Sequence, residues 1–374
     1  MGVEKRIRIL VTGSKGFIGK NLVLRLDELN SFELIEFTRS DSTDQLSGLV
    51  AKADMIIHLA GENRPKRVED FASGNTGLTR SLCDSIRSVG RDVPMIFVSS
   101  AQAGQDNPYG MSKIAAEQAV EQLSADTGNS AVIYRLPGVF GKWCRPDYNS
   151  VVATFCHNIA NDLPIQIADP AAVIRLVYID DVITDFFRSL QAMKNGACFG
   201  EVKPEYQVTL AELADQIHAF RNCRTSLLSE RVGTGLTRAL YSTYVSYLSP
   251  ERFVYDLPQY GDERGVFVEM LKTPDCGQFS FFTVQPGVTR GSHYHHTKTE
   301  KFLVVRGEVR MRFRHKLSDE TCEVRVSGDK PQVVDSIPGW VHDITNVGNR
   351  EAVVMLWANE IFDRQKPDCI PCEV

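Results

Sequence analysis

The chain has no surplus of basic residues, no long apolar run and no cysteine framework, and each absence removes a class of function. Its 42 lysines and arginines are outnumbered by 47 aspartates and glutamates, for a formal net charge of −5. A surface that binds nucleic acid or an anionic membrane carries the opposite sign, so neither is expected as a partner. No apolar stretch approaches the ~20 residues that span a bilayer. The opening residues MGVEKRIRILVTG lack the apolar core of a secretory signal and run straight into a strand pattern, so a cytoplasmic protein is expected. The nine cysteines are scattered and odd in number, which reads as thiols rather than disulfides. Cys369 and Cys372, in CIPC, are the one pair worth attention. They lack both a second pair for a metal and the strand–helix unit of a redox motif. Internal repeats and low-complexity tracts are also missing.

What remains is an ordinary globular composition, 43% apolar and 24% charged, in a chain long enough for two domains. Up to about Leu240, apolar runs alternate with helical stretches: RIRILV (6–11), FELIEFT (32–38), MIIHLA (55–60), a helix from Thr76 to about Val89, PMIFVS (94–99), a helix from Tyr109, and AVIYRL ending at Leu136. That alternation predicts parallel β-α-β units with helices on both faces of a sheet. From Tyr255 onward, short strands such as GVFVEML, QFSFFTV, EKFLVV, EVRMRFR and EAVVMLW are separated by Gly, Pro, Asn or Asp, which predicts a sandwich or barrel. The expected division is an α/β doubly wound domain over 1–245 and an all-β domain over 250–374.

The first strand is followed by Thr12-Gly13-Ser14-Lys15-Gly16-Phe17-Ile18-Gly19. Gly13 permits the tight strand-to-helix turn, Gly16 lets backbone approach a pyrophosphate, and Gly19 lets helix and strand pack closely. The helix N-terminus then offers free N–H groups to phosphate. NAD-preferring sites end the second strand with an acid for the ribose 2′-hydroxyl. Here that end reads Glu36-Phe37-Thr38-Arg39-Ser40. Arg39, assisted by Lys15, would pair with a 2′-phosphate, which favours NADPH over NADH; the alternative is that both cations are solvated surface residues.

Tyr109 and Lys113 stand four apart in a helical stretch and so share a face. A nearby ammonium lowers a phenol's pKa, which equips Tyr109 to donate a proton to a carbonyl oxygen as hydride reaches the carbon. With TGSKGFIG, HLAG (58–61), Asn75-Thr76, VSS (98–100), YGMSK, YRLPGVFG (134–141) and RLVYIDDV (175–182), the first 240 residues resemble an extended short-chain dehydrogenase/reductase. The resemblance implies a Rossmann-type fold, a Ser-Tyr-Lys catalytic triad and a nucleotide-sugar substrate. Leu59, Ala60, Tyr109 and Lys113 would join the glycine-rich segment in holding the cofactor. Many relatives carry the triad hydroxyl where Ala101 stands, so Ser100 is assigned the role, with Gln102 as the alternative. Arg145, in Lys142-Trp143-Cys144-Arg145, and Arg175 are candidate substrate contacts; structural pairing is their alternative.

Downstream, Gly287, His293-Tyr294-His295, Glu300 and Gly307 are followed by Pro338-Gly339-Trp340-Val341-His342 and Asn346. His293 and His295 alternate on a strand and point to one face; His296 would point to the other. Three imidazoles and a carboxylate suit zinc, and also iron, nickel or manganese. The spacing resembles the cupin signature over about 250–374, except that Pro and Gly of the second motif are adjacent. Asp262-Glu263-Arg264-Gly265 resembles the start of sugar-nucleotide epimerase cupins, where Arg264 and Arg290 would neutralise a diphosphate. A metal can polarise a ketone and hold the enolate that epimerisation requires, or it can only hold the barrel together.

A reductase followed by a metal cupin resembles the bifunctional bacterial enzymes of capsular polysaccharide and O-antigen synthesis. The resemblance implies that the cupin inverts carbon 3 of UDP-2-acetamido-2,6-dideoxy-β-L-arabino-hexos-4-ulose. The first domain would then reduce carbon 4 with NADPH, giving UDP-N-acetyl-6-deoxy-L-talosamine, in a homodimer. The competing expectation is a 4-ketosugar reductase whose cupin only stabilises or dimerises it.

Overall fold

The computed structural model describes residues 6–253, 255–295, 298–316, 318, 320–336, 338–365 and 367–374. They form two compact units. The first holds the described residues up to Asp215 together with Ser242–Tyr247; the second holds Gln216–Tyr241 and those from Leu248 onward.

In the first unit the elements run β1 (Ile7–Thr12), α1 (Phe17–Glu28), β2 (Phe32–Phe37), α2 (Leu46–Lys52), β3 (Met55–His58), α3 (Glu69–Phe71), α4 (Leu78–Val89), β4 (Met95–Ser100), α5 (Pro108–Thr127) and β5 (Ala131–Leu136). Next come β6 (Gly138–Phe140), α6 (Val151–Ala160), β7 (Val173–Tyr178), α7 (Ile179–Ala192), β8 (Ala197–Gly200) and β9 (Tyr206–Thr209). Six strands form one sheet in the order β2-β1-β3-β4-β5-β8, and every pairing in it is parallel. Strands covered on both faces should read as continuous apolar runs. Ile9, Leu10 and Val11 of β1, Ile56 and Ile57 of β3, and Met95 and Ile96 of β4 are all fully buried. Strand order reverses between β1 and β3, which opens a crevice at their carboxyl ends, where such sheets bind ligands.

The helix expected from Thr76 begins at Leu78, because Ala72–Gly77 forms a π-helical turn. Within it, Asn75 Nδ2 donates to Ser112 Oγ at 2.9 Å and Thr76 Oγ1 to Ser112 O at 2.9 Å. The widened turn carries these side chains onto α5, and such turns recur at functional sites.

The second unit contains β10 (Gln259–Asp262), β11 (Gly265–Thr273), β12 (Gly277–Val284), β13 (Thr289–Tyr294), β14 (Glu300–Arg306), β15 (Glu308–His315), β16 (Thr321–Ser327), β17 (Val333–Ser336), β18 (Trp340–Asn346), β19 (Ala352–Ala358) and β20 (Ile370–Pro371). Two antiparallel sheets result, β10-β11-β12-β19-β14-β17 and β16-β15-β18-β13-β20. Alternate residues of both sheets, among them Phe282, Val284, Phe302, Val304, Met311, Phe313, Ile344 and Val354, make one apolar core, as strand periodicity requires. The α/β doubly wound sheet and the all-β second region are thus as the patterns predicted. No helix of the described residues is long and apolar enough to cross a membrane.

Candidate functional site

The crevice of the first unit is built by close backbone approach. Gly13 has φ +75°, and a Cβ there would lie 2.7 Å from Ala60 N; one on Gly19 would lie 2.3 Å from Gly13 O. The turn therefore admits no side chain, and the start of α1 has neither a side-chain cap nor an acid in its first turn. Ser14, Lys15, Gly16, Phe17 and Ile18 surround this open helix end. Behind it, Ala60 N donates to Thr12 Oγ1 at 3.2 Å, Thr12 Oγ1 lies 2.6 Å from His58 Nδ1, and His58 Nε2 lies 2.9 Å from Thr79 Oγ1. Burial pushes His58 down to about 3, with Lys113 adding to the effect, so this network is uncharged.

At the edge of the crevice the cations are paired. Lys15 Nζ lies 2.9 Å from Glu36 Oε2, and Ser14 Oγ donates to the same carboxylate at 2.5 Å. Arg39 Nη2 lies 2.7 Å from Glu62 Oε1, with its side chain 85% exposed. Glu36, one residue before the end of β2, is an acid at the position where a ribose contact is expected. Its place at the strand end is visible in the sequence, beside Arg39, to which the nucleotide preference is assigned.

Deeper in, Lys113 is almost fully buried and its Nζ donates to Val98 O at 3.2 Å. Asn75 Oδ1 accepts from Glu62 N at 2.8 Å, and a Cβ on Gly61 would lie 3.1 Å from Lys113 Nζ. The segment carrying Leu59, Ala60 and Gly61 therefore touches both the glycine turn and Lys113. Ser100, the last residue of β4, acts on the Tyr109 phenol, and Lys113 Nζ lies 6.0 Å from the Tyr109 ring centroid; Ser99 turns instead to Glu117. Burial raises the Tyr109 phenol above its ordinary value, with Ser100 opposing. The expected lowering by Lys113 does not appear among the influences on the phenol. Burial brings Lys113 itself down to about 8, and Glu117 opposes that.

The proposed substrate arginines of this unit are both engaged. Arg145 and Arg64 lie 5.2 and 5.9 Å from the ring centroid of Tyr148. Arg175 makes a bidentate pair with Glu205 at 2.5 and 2.9 Å.

In the second unit, one ligand atom from each of His293, His295, Glu300 and His342 lies within 4.8 Å of the others. His293 is directly opposite His342 across β13 and β18, and Glu300 opens β14. The adjacent Pro338-Gly339 is accommodated by a turn: Gly339 has φ +80° and its N–H donates to His295 O at 2.9 Å. His295 Nδ1 bonds Asp368 O, and His342 Nδ1 lies 3.3 Å from Ser336 Oγ. Such outer contacts orient metal-binding imidazoles. The buried Nε2 atoms of His293 and His342 have no hydrogen-bond partner, a costly arrangement that a cation would relieve. His342 Nε2 is 3.4 Å from Glu300 Oε2, but outside hydrogen-bonding geometry. Burial pushes His293 down to about 4. Burial also opposes the charge on Glu300, yet His295, His342 and Lys298 together hold its carboxyl below the usual range. The donor set thus fits a divalent transition metal. His296 lies outside the described residues. Lys298, whose Nζ is 2.9 Å from Glu300 Oε1, carried no motif and was not anticipated. Arg264 pairs with Asp262 at 2.6 Å, and Arg290 donates to Thr283 O at 3.1 Å.

Residues 9–203 match the NAD dependent epimerase/dehydratase family, and residues 260–370 match the polysaccharide biosynthesis C-terminal domain. The UDP-2-acetamido-2,6-beta-L-arabino-hexul-4-ose reductase of Pseudomonas aeruginosa is 53% identical over 98% of this chain and 99% of its own. The dTDP-4-dehydro-6-deoxyglucose reductase of Escherichia coli is 24% identical over 56% of this chain and 80% of its own. Among solved structures, the capsular polysaccharide assembling protein CapF from Staphylococcus aureus superposes with a TM-score of 0.89 at 41% identity, covering 98% of this chain and all of that one.

Proposed function

We propose, for a chain that belongs to the NAD dependent epimerase/dehydratase family, that it reduces the 4-keto group of a UDP-linked 2-acetamido-2,6-dideoxyhexos-4-ulose after inverting carbon 3. The observation that carries the reduction is the convergence of Ser100, Tyr109 and Lys113 on the segment that also closes the glycine turn. The substrate class follows from the name of the 53%-identical relative. NADPH supplies hydride when bound. Gly13, Ser14, Lys15, Gly16, Phe17, Ile18 and Gly19 would cradle its pyrophosphate, with Leu59 and Ala60 along the dinucleotide and Arg39 reaching a 2′-phosphate by exchanging Glu62. Ser100 orients the ketone, Tyr109 gives its proton to the oxygen, and Lys113 stabilises the phenolate left behind. Bond by bond, one hydride and one proton add across the carbonyl.

In the second unit, read as a cupin, His293, His295, Glu300 and His342 would hold a divalent ion, zinc by its donor set. That ion supplies a Lewis acid or a structural clamp. Arg264 and Arg290, like Arg145 and Arg175 in the first unit, would face the diphosphate. The product would be UDP-N-acetyl-6-deoxy-L-talosamine, a precursor for capsule or O-antigen made by a cytoplasmic homodimer.

The test is incubation of the UDP-4-keto-sugar with enzyme and NADPH in heavy water, read by mass spectrometry and proton NMR. Deuterium at an inverted carbon 3 of a reduced product is expected. A reduced product that is unlabelled and uninverted at carbon 3 would leave the second unit a structural module. No turnover would refute the substrate class.

A further inference from the structure

We infer that Glu117 is a positioning residue that keeps Lys113 charged for the reduction, with Arg135 and Ser99 holding its carboxylate in place. The inference rests on the Tyr109–Lys113 assignment above. Tyr109, Lys113 and Glu117 stand on successive turns of α5. Glu117 is 1% exposed and Lys113 5%, so the two share a buried face of α5 with little solvent to screen them. Ser99 and Arg135 are opposite each other on β4 and β5, and both reach the Glu117 carboxylate. Ser99 Oγ donates to Oε1, while Arg135 Nε and Nη2 donate at 3.0 and 2.6 Å.

A buried ion pair adds little net stability against an apolar replacement, so packing alone does not account for this carboxylate. An opposite charge close to a buried ammonium, in contrast, favours its charged form. Arg135 is far more exposed, with 44% of its side chain in solvent, so its charge reaches Lys113 weakly. The other groups facing the pair are Tyr109 on α5, His58 on β3 and, beside Arg135, Glu121. His58 is neutral through the assay range. Among the described residues, Glu117 is therefore the anion that acts on Lys113.

The experiment is the pH dependence of kcat, from pH 6 to 9.5, at saturating NADPH and UDP-4-keto-sugar. Glu117→Gln should move the alkaline limb down by about one pH unit, about tenfold in kcat above it, with the KM for NADPH unchanged. Glu117→Asp keeps the charge but withdraws it and should fall between Gln and the natural residue; it carries the test alone if the Gln variant does not fold. An unmoved limb in a folded variant overturns the inference, as does an equal loss at every pH. Tyr109→Phe separates the two levels. If it turns over normally, the Tyr–Lys assignment fails as well; if it is inactive but binds NADPH while the Glu117→Gln limb is unmoved, only the role of Glu117 fails.

Discussion

At the scale of single residues, charge and its compensation decide what each side chain can do. Arg39 illustrates this. Its guanidinium is largely in solvent, 2.7 Å from Glu62, and an exposed pair of this kind is worth only ~0.2–1 kcal/mol. A 2′-phosphate, with more charge, can displace that carboxylate. Arg39→Ala should raise the KM for NADPH by about tenfold while leaving that for NADH within about twofold, since one charge-assisted hydrogen bond is worth ~1.5–3 kcal/mol. Steady-state kinetics with both coenzymes checks it; an equal loss for both would show that Arg39 supports the loop rather than reading the phosphate. Lys15 is held in the same way, by Glu36 one residue before the end of β2.

At the scale of elements, the turn from β1 into α1 leaves no room for a side chain at Gly19. Gly19 abuts the carbonyls of Gly13 and Ser14, both backbone, so an added methyl finds nothing that can rotate aside. Gly19→Ala should therefore shift α1 away from β1, weaken NADPH binding at least tenfold and lower the thermal midpoint by several degrees, as overpacking of ~1–3 kcal/mol would. Fluorescence titration and thermal unfolding measure the two effects, and unchanged affinity would remove this turn from the cofactor site. The π-helical turn before α4 is the other element the site depends on. Its Asn75 joins the Glu62 backbone to Ser112 on α5, so one side chain ties the segment after β3 to the helix that carries Tyr109 and Lys113.

At the scale of the molecule, the proposed division of labour between the two units predicts distinct effects of removing metal. Three imidazoles and a carboxylate converge in the second unit with two partnerless Nε2 atoms, so an ion held there would contribute folding energy. Chelation, or His293→Ala with His295→Ala, should lower the unfolding temperature of the second unit and abolish deuterium exchange at carbon 3. Reduction of a 4-ketosugar that already has the inverted carbon 3 should persist. Calorimetry and NMR of the exchanged sugar check the pair; full exchange in a metal-free variant would make the ion purely structural.

Much of this was legible in the chain because it depends on local periodicity. Parallel strands buried on both faces must be continuous apolar runs, so β1, β3, β4 and β5 stood out. A glycine-rich turn and a Tyr–Lys pair at helical spacing carry their chemistry in a few residues. Alternation on a strand likewise announced His293 and His295 with Glu300 beyond. What only the tertiary structure decided is which charges meet. Glu117 was one helical turn beyond Lys113, but its burial depends on Ser99 and Arg135 arriving from two other strands. Lys15 and Arg39 were readable as cations, yet their partners Glu36 and Glu62 come from elsewhere in the crevice. The direction in which Tyr109 shifts was also hidden, because spacing along a helix specifies a shared face, whereas a pKa depends on depth, solvent and the distance between charged atoms.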